Sequence, residues 1–470
     1  MEIDPLLLSR IQFGLNISFH IIFPSFTIGL AAWLATLEGL SLFTGRPVYR
    51  QLFDFWIKVF MLSFAMGVVT GIIMAVQFGT NWSVLAERAG AIQGPLLGYE
   101  AYTAFLLEAT FVGVMLFGRG RVPPWLYFLS CCLVALGTTF SAFWIMANNS
   151  WMQVPVGHEI VDGRFVATDW AEVVLGEVMR VRFPHMLLGA YLTTAFCVAA
   201  TGAWHTLRGV QPQAANRMLG MSLTLAAILT PVQLLYGHWN GEYVLNHQPA
   251  KFAAIEARWQ SQQPASEVLI ALPDSSQERN RFSIEIPGLG SYIASGNWTS
   301  RETGLDAFPA EDRPPVLIPF FAFRIMVGMG LIMLFLSWTG VWLKIRRRLT
   351  TTRWFLHATV FGFPAGFVAI LCGWFTAEVG RQPWVVYGLL RTADAVTPSL
   401  EGPEVLASLL IYAVVYSIIA GGGFVYIYRL LRDGPAPPGA VQSGFGPSVR
   451  SGSGATAVRE KNTDDVATGS

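Results

Sequence analysis

Apolar residues come in long runs separated by short polar stretches. Nine of these runs, near 11–38, 53–79, 96–117, 123–146, 184–205, 218–239, 317–343, 354–377 and 404–430, are about as long as a bilayer-crossing helix requires. The expected fold class is an all-α integral membrane protein with about nine transmembrane helices. An odd number of spans puts the termini on opposite sides. Arg46 and Arg50, Arg119 and Arg121, Arg208 and Arg217, and the cluster Lys344, Arg346, Arg347, Arg348 and Arg353 fall in alternate loops. The positive-inside rule makes those loops cytoplasmic, with the N-terminus outside and the C-terminus inside.

This divides the chain into helices one to six (1–239), an extracytoplasmic loop (240–316), helices seven to nine (317–432) and a cytoplasmic tail (433–470). The loop is too long for a simple connection, and connections of that length are functional or disordered. The tail is rich in Gly, Ser, Ala and Pro and is expected to be disordered. No repeat at solenoid periods is present.

Composition agrees: 53% of residues are hydrophobic, 13% are charged, and mean hydropathy is +0.47, against about 25% charge in soluble domains. A net charge of +1, with no zinc finger and no GxxxxGK loop, sets nucleic acid aside. Cys131, Cys132, Cys197 and Cys372 sit inside apolar runs and imply no disulfide framework. No CxxCH occurs, so any haem is held by axial ligands and packing. The opening MEIDP lacks a basic n-region, so the first run is expected to be a retained helix.

The chemistry lies in the exceptions to this apolar pattern. GWFTAEVGRQPW, Gly373 to Trp384, places Glu378 and Arg381 at the end of a span. An ionisable group at membrane depth costs roughly 2.5–3.5 kcal/mol on insertion scales and marks binding, conduction or catalysis. His20, His185, Arg324, Met326 and Glu378 all map to the outer half of the membrane. Imidazole, thioether and carboxylate are all iron ligands, and a His/Met pair is a low-spin haem ligation. Each residue also has an ordinary alternative: a hydrogen-bonded packing histidine, a gap-filling methionine, or a Glu378–Arg381 salt bridge. Glu100 and Glu108, eight residues apart, are separated on a helix by about 12 Å of rise and roughly 80°. They suit a proton relay or two protonated carboxyls bonded to neighbouring helices. Asn148, Asn149 and Gln153 are polar groups at the outer mouth of the fourth span that suit simple interfacial capping.

Several long motifs, in order along most of the chain, resemble subunit I of the cytochrome bd-type quinol oxidases, including the cyanide-insensitive branch. They are RIQFGLNISFH (Arg10 to His20), GTNW (Gly79 to Trp82), EAYTAFLLEATF (Glu100 to Phe111) and WIMANNSWMQVPVG (Trp144 to Gly157). FPHMLLGAY (Phe183 to Tyr191), HQPAKFAAIEA (His247 to Ala257), FRIMVG (Phe323 to Gly328) and GWFTAEVGRQPW follow.

The resemblance implies a terminal quinol oxidase of an aerobic respiratory chain in the bacterial cytoplasmic (inner) membrane. Such an enzyme oxidises ubiquinol or menaquinol at the outer face and reduces O2 to water with cytoplasmic protons, electrogenically and without a pump. It implies two b-type haems, one low-spin and one high-spin, and a third, oxygen-reactive haem expected to be haem d; a variant with only b-type haems would use the same residues. His185 and Met326 resemble the axial pair of the low-spin haem, with Arg324 balancing propionate charge. His20 and Glu378 resemble the ligands of the other two haems, in an order left open. Trp374 and Arg381 belong to that second site, Glu100 and Glu108 to the proton path, and Lys251 and Glu256 to quinol binding in the outer loop, which lacks the long insertion of some members. A similarly sized membrane subunit II and a small single-helix subunit are the implied partners. Two rivals are a haem-free secondary transporter with intramembrane carboxylates and a membrane scaffold without chemistry.

Overall fold

The computed structural model describes residues 4–437, so the tail expected over 433–470 lies outside the described residues from position 438 onward. Nine helical spans among the described residues are long and apolar enough to cross a membrane, which makes this a multi-pass membrane protein.

The first span, Pro5–Thr44, is two helices, α1 (Pro5–His20) and α2 (Ile22–Thr44), that meet at Ile21. The Asp4 side chain accepts from the Leu6 N–H at 2.9 Å and caps α1, with Pro5 in the first turn. The break follows from Pro24. It has no N–H for the His20 carbonyl four residues earlier, and its ring crowds that carbonyl. His20 therefore ends a helix in mid-span.

The second span is α3 (Pro47–Thr80). The third begins as α4 (Ser83–Tyr99), widens into a π-helical turn over Glu100–Phe105, and continues as α5 (Leu106–Phe117). The π turn starts at Glu100, the first of the two expected relay carboxylates, and alters the regular 100° step assumed between them; such insertions recur at functional sites. The fourth span is α6 (Pro124–Gln153), followed by a hairpin of β1 (His158–Val161) and β2 (Arg164–Ala167) and the short α7 (Trp170–Leu175).

The fifth and sixth spans contain α8 (Glu177–Arg208) and α9 (Pro212–His247). The apolar window of the fifth span is 78% buried, against 11% for the last span, so α8 is the axis of the bundle. Small residues permit this. A Cβ at Gly29 of α2 would lie 2.4 Å from Thr194 Oγ1, and one at Gly202 would lie 2.8 Å from the Leu219 backbone nitrogen of α9. Pro231 inside α9 frees the Ala227 carbonyl, which accepts from Trp338 Nε1 at 3.0 Å, so the neighbouring helix satisfies the group that proline orphans.

The long loop is folded. It contains α10 (Pro249–Ile255), an antiparallel pair of β3 (Glu267–Asp274) and β4 (Arg279–Ile286), and α11 (Leu289–Ser295). Ala253, Ala254, Trp259, Val268, Leu305 and Phe320 form its own apolar core against the start of α12 (Leu317–Ile345). The span expected near 354–377 is α13 (Arg353–Phe361) and α14 (Ala365–Val379), interrupted at Gly362 to Pro364. After β5 (Trp384–Val386) and β6 (Leu390–Arg391), the last span is α15 (Gly402–Asp433).

Candidate functional site

One cavity of about 1390 Å³ enters the bundle from the side that carries the folded loop. His20, His185, Met326, Trp374 and Glu378 line it, contributed by α1, α8, α12 and α14. Glu100, Glu108, Lys251, Glu256 and Arg381 line it as well. Arg324 does not.

Three of the four candidate ligands, His20, His185 and Met326, face a glycine. A Cβ at Gly71 of α3 would lie 3.2 Å from His20 Cε1, and one at Gly237 of α9 would lie 3.3 Å from His185 Cε1. At Gly373 of α14 it would lie 3.0 Å from Met326 Sδ. His20 Nδ1 pairs with Thr70 Oγ1 at 2.9 Å, which leaves Nε2 to ligate. His185 Nε2 lies 3.4 Å from Gln233 Nε2, and its buried Nδ1 has no partner.

Glu378 is held on several sides. It accepts from Asn149 Nδ2 at 2.9 Å, from Gln153 Nε2 at 3.0 Å, and from Arg381 Nη2. Arg182 of α8 donates to Asn149 Oδ1 at 2.5 Å and to Ser150 Oγ at 3.1 Å. Asn149 and Gln153, readable as helix-end caps, are thus the links of a buried charge network. Arg381 Nε and Nη1 remain buried without partners. Two unpaired guanidinium donors are costly to bury and suit an anionic group such as a haem propionate. An apolar cavity with glycine-flanked histidines, a thioether and unpaired cationic donors fits haem held by axial ligation.

Lys251 and Glu256 face different partners. Lys251 Nζ donates to Gln153 Oε1 and Gln248 Oε1, both at 2.7 Å, and its stem lies over Gly380. Burial pushes its pKa well below the ordinary 10.5, opposed in part by Glu378. Glu256 instead pairs with Arg324 Nη2 at 3.2 Å. Arg324 also donates to the Ile255 carbonyl at 2.8 Å and to the Val268 carbonyl, and its guanidinium lies 3.7 Å from the Phe320 ring centre. With these donors engaged, Arg324 clamps the loop to α12, and the free cationic donors near the candidate ligands belong to Arg381.

Glu100 Oε1 accepts from Ser141 Oγ at 2.8 Å, while Glu108 is buried with Oε1 unpaired. Trp374 packs edge-on to Phe375 on the cavity wall, with ring centres 5.6 Å apart.

Sequence reasoning missed Arg182, which falls just before the apolar run near 184–205 although α8 starts at Glu177. The arginine three residues before His185 was the available signal. Gln233 and Glu267 carried none.

The chain matches the family described as cytochrome bd terminal oxidase subunit I over residues 8–435. It is 34% identical over 438 residues to cytochrome bd ubiquinol oxidase subunit 1 of Bacillus subtilis, covering 91% of this chain and 93% of that one. To cytochrome bd-II ubiquinol oxidase subunit 1 of Escherichia coli it is 31% identical over 508 residues, covering 94% and 98%. Its fold is similar to that of the bd oxidase from Geobacillus thermodenitrificans, with a TM-score of 0.84, 29% identity, and coverage of 92% of this chain and 100% of the other.

Proposed function

The chain belongs to the cytochrome bd terminal oxidase subunit I family, and from that premise we propose that it oxidises membrane quinol and reduces O2, two quinols and one O2 giving two quinones and two waters. The observation that carries this reading is that one cavity joins the four candidate iron ligands to Glu100 and Glu108 and to the loop carboxylate Glu256. Nothing comparable favours the haem-free transporter.

His185 and Met326 would hold a low-spin b-type haem, and His20 and Glu378 the high-spin b-type and oxygen-reactive haems, the last read as haem d. Bound haem supplies one-electron steps between a two-electron donor and oxygen. The chain's residues manage charge and protons. Arg381 neutralises an anionic edge beside Glu378. Glu256 accepts a hydroxyl proton from quinol, and Lys251 donates to a quinone oxygen by exchanging one of its two glutamine partners.

Glu108 and Glu100, with Ser141, carry protons inward from the cytoplasmic side. Protons released from quinol outside and consumed from inside separate charge without a pump. The arginine-rich loops support this orientation, with the N-terminus outside and the cytoplasmic membrane as location. A second membrane subunit, a small single-helix subunit, ubiquinol or menaquinol, and O2 are the proposed partners.

Quinol-dependent O2 consumption by the purified complex tests the reading. Two quinols consumed per O2 are expected; a haem-loaded complex that consumes none would overturn it.

A further inference from the structure

Glu267, the first residue of β3, lies beside the proposed quinol carboxylate on the wall of the same cavity. Its Oε1 stands 3.6 Å from Arg324 Nη2, the nitrogen that pairs with Glu256 Oε2 at 3.2 Å. Arg324 therefore reaches both carboxylates. Arg258 completes the cluster. Its side chain is only 4% exposed, and Nε, Nη1 and Nη2 are buried without hydrogen-bond partners. The charges acting on it are those of Glu256, Glu302 and Glu267. Unpaired guanidinium donors beside a carboxyl pair call for water between them, and water is what a proton leaving the pair requires.

We infer that Glu256 and Glu267 form a two-carboxyl relay, in which Glu267 passes to the aqueous side the proton that quinol gives to Glu256. The inference rests on the proposed quinol site. Before transfer the pair holds one proton, on Glu267, which donates to the Glu256 carboxylate. The quinol O–H bond breaks and its proton goes to Glu256, while Glu267 releases its own proton to water beside Arg258. The pair then holds one proton again, now on Glu256. Return of that proton to Glu267 restores the starting state, and one proton has moved from quinol to solvent. The electrons take the oxidase's own route and do not pass through the pair.

The supporting electrostatics are those of a shared proton: burial first, then the adjacent Glu256, raise the Glu267 pKa from 4.5 to about 8, against the pull of Arg324 and Arg258. Glu267 acts through Glu256, so the test must read protonation as well as rate.

Glu267→Gln in the full complex is expected to slow quinol oxidation roughly tenfold, below the 10²–10⁴-fold typical of a whole general base. The wild-type rate is expected to change as pH passes about 8, and the same substitution should remove that transition while haem content and oxygen reduction from an artificial electron donor stay unchanged. Glu267→Asp should restore part of the rate. Infrared difference spectroscopy of the wild-type complex should show a carboxyl signal that changes on quinol oxidation. A Glu267→Gln pH profile identical to wild type, or no such carboxyl signal, would overturn the relay. A wild-type complex that oxidises no quinol would instead overturn the proposed function itself.

Discussion

Glu108 fits in the bundle because position 137 is glycine: a Cβ at Gly137 of α6 would fall 2.7 Å from Glu108 Cγ. The carboxyl is thus packed against a facing helix on one side and opens to the cavity on the other. Gly137→Ala should displace Glu108 and slow oxygen consumption while leaving the haem bands in place. Glu108→Gln should do the same. Unchanged oxygen consumption in Glu108→Gln would remove this residue from the proton path.

Gly237 stands to His185 as Gly137 stands to Glu108. His185→Ala should abolish the low-spin haem signal, and Gly237→Val should reduce it without touching the ligand, because the added methyls occupy the space beside Cε1. Visible spectra of the two variants check this. A normal low-spin signal with normal quinol oxidation in His185→Ala would refute the ligand assignment.

Arg324 holds the loop through two backbone carbonyls and Glu256. Breaking a buried pair of this kind costs about 3–5 kcal/mol, here borne by the loop. Arg324→Ala should make residues 256–316 protease-sensitive and stop quinol oxidation while haem bands persist. Arg324→Lys should not rescue it, since a single ammonium cannot match the spread of a guanidinium fork.

The Glu267 carboxyl makes loop docking depend on pH. Its pKa in the docked loop is about 8 against an ordinary 4.5, with Glu256, Arg324 and Arg258 as the charges facing it. Between those values the docked state holds a proton that the undocked state has lost. Docking is favoured most below about 4.5 and weakens as pH rises through 8. Proteolysis of the loop should accelerate over this range in wild type, and Glu267→Gln should flatten the dependence.

The spans and the ligand candidates were legible because a run of apolar residues and an isolated histidine or carboxylate are local features. The relations among them were only partly so. Lys251 and Glu256 are five residues apart, roughly 140° around a helix, and the spacing already sends them to different partners. The runs near 11–38 and 354–377 were read as unbroken, although Pro24 and Pro364 mark the breaks at Ile21 and Gly362. The π turn at Glu100–Phe105 had no such marker. Arg182, Glu267 and Arg258 draw their significance from contacts between distant segments, which no local pattern encodes.

We propose that this cavity holds three haems, one of them oxygen-reactive. A reduced-minus-oxidised visible spectrum of the purified complex, recorded with and without carbon monoxide, tests it most directly. The account predicts b-type bands together with a red-shifted chlorin band that responds to carbon monoxide. B-type bands alone would replace haem d by haem b at the oxygen site. The absence of haem bands from a folded, fully assembled preparation would contradict the claim.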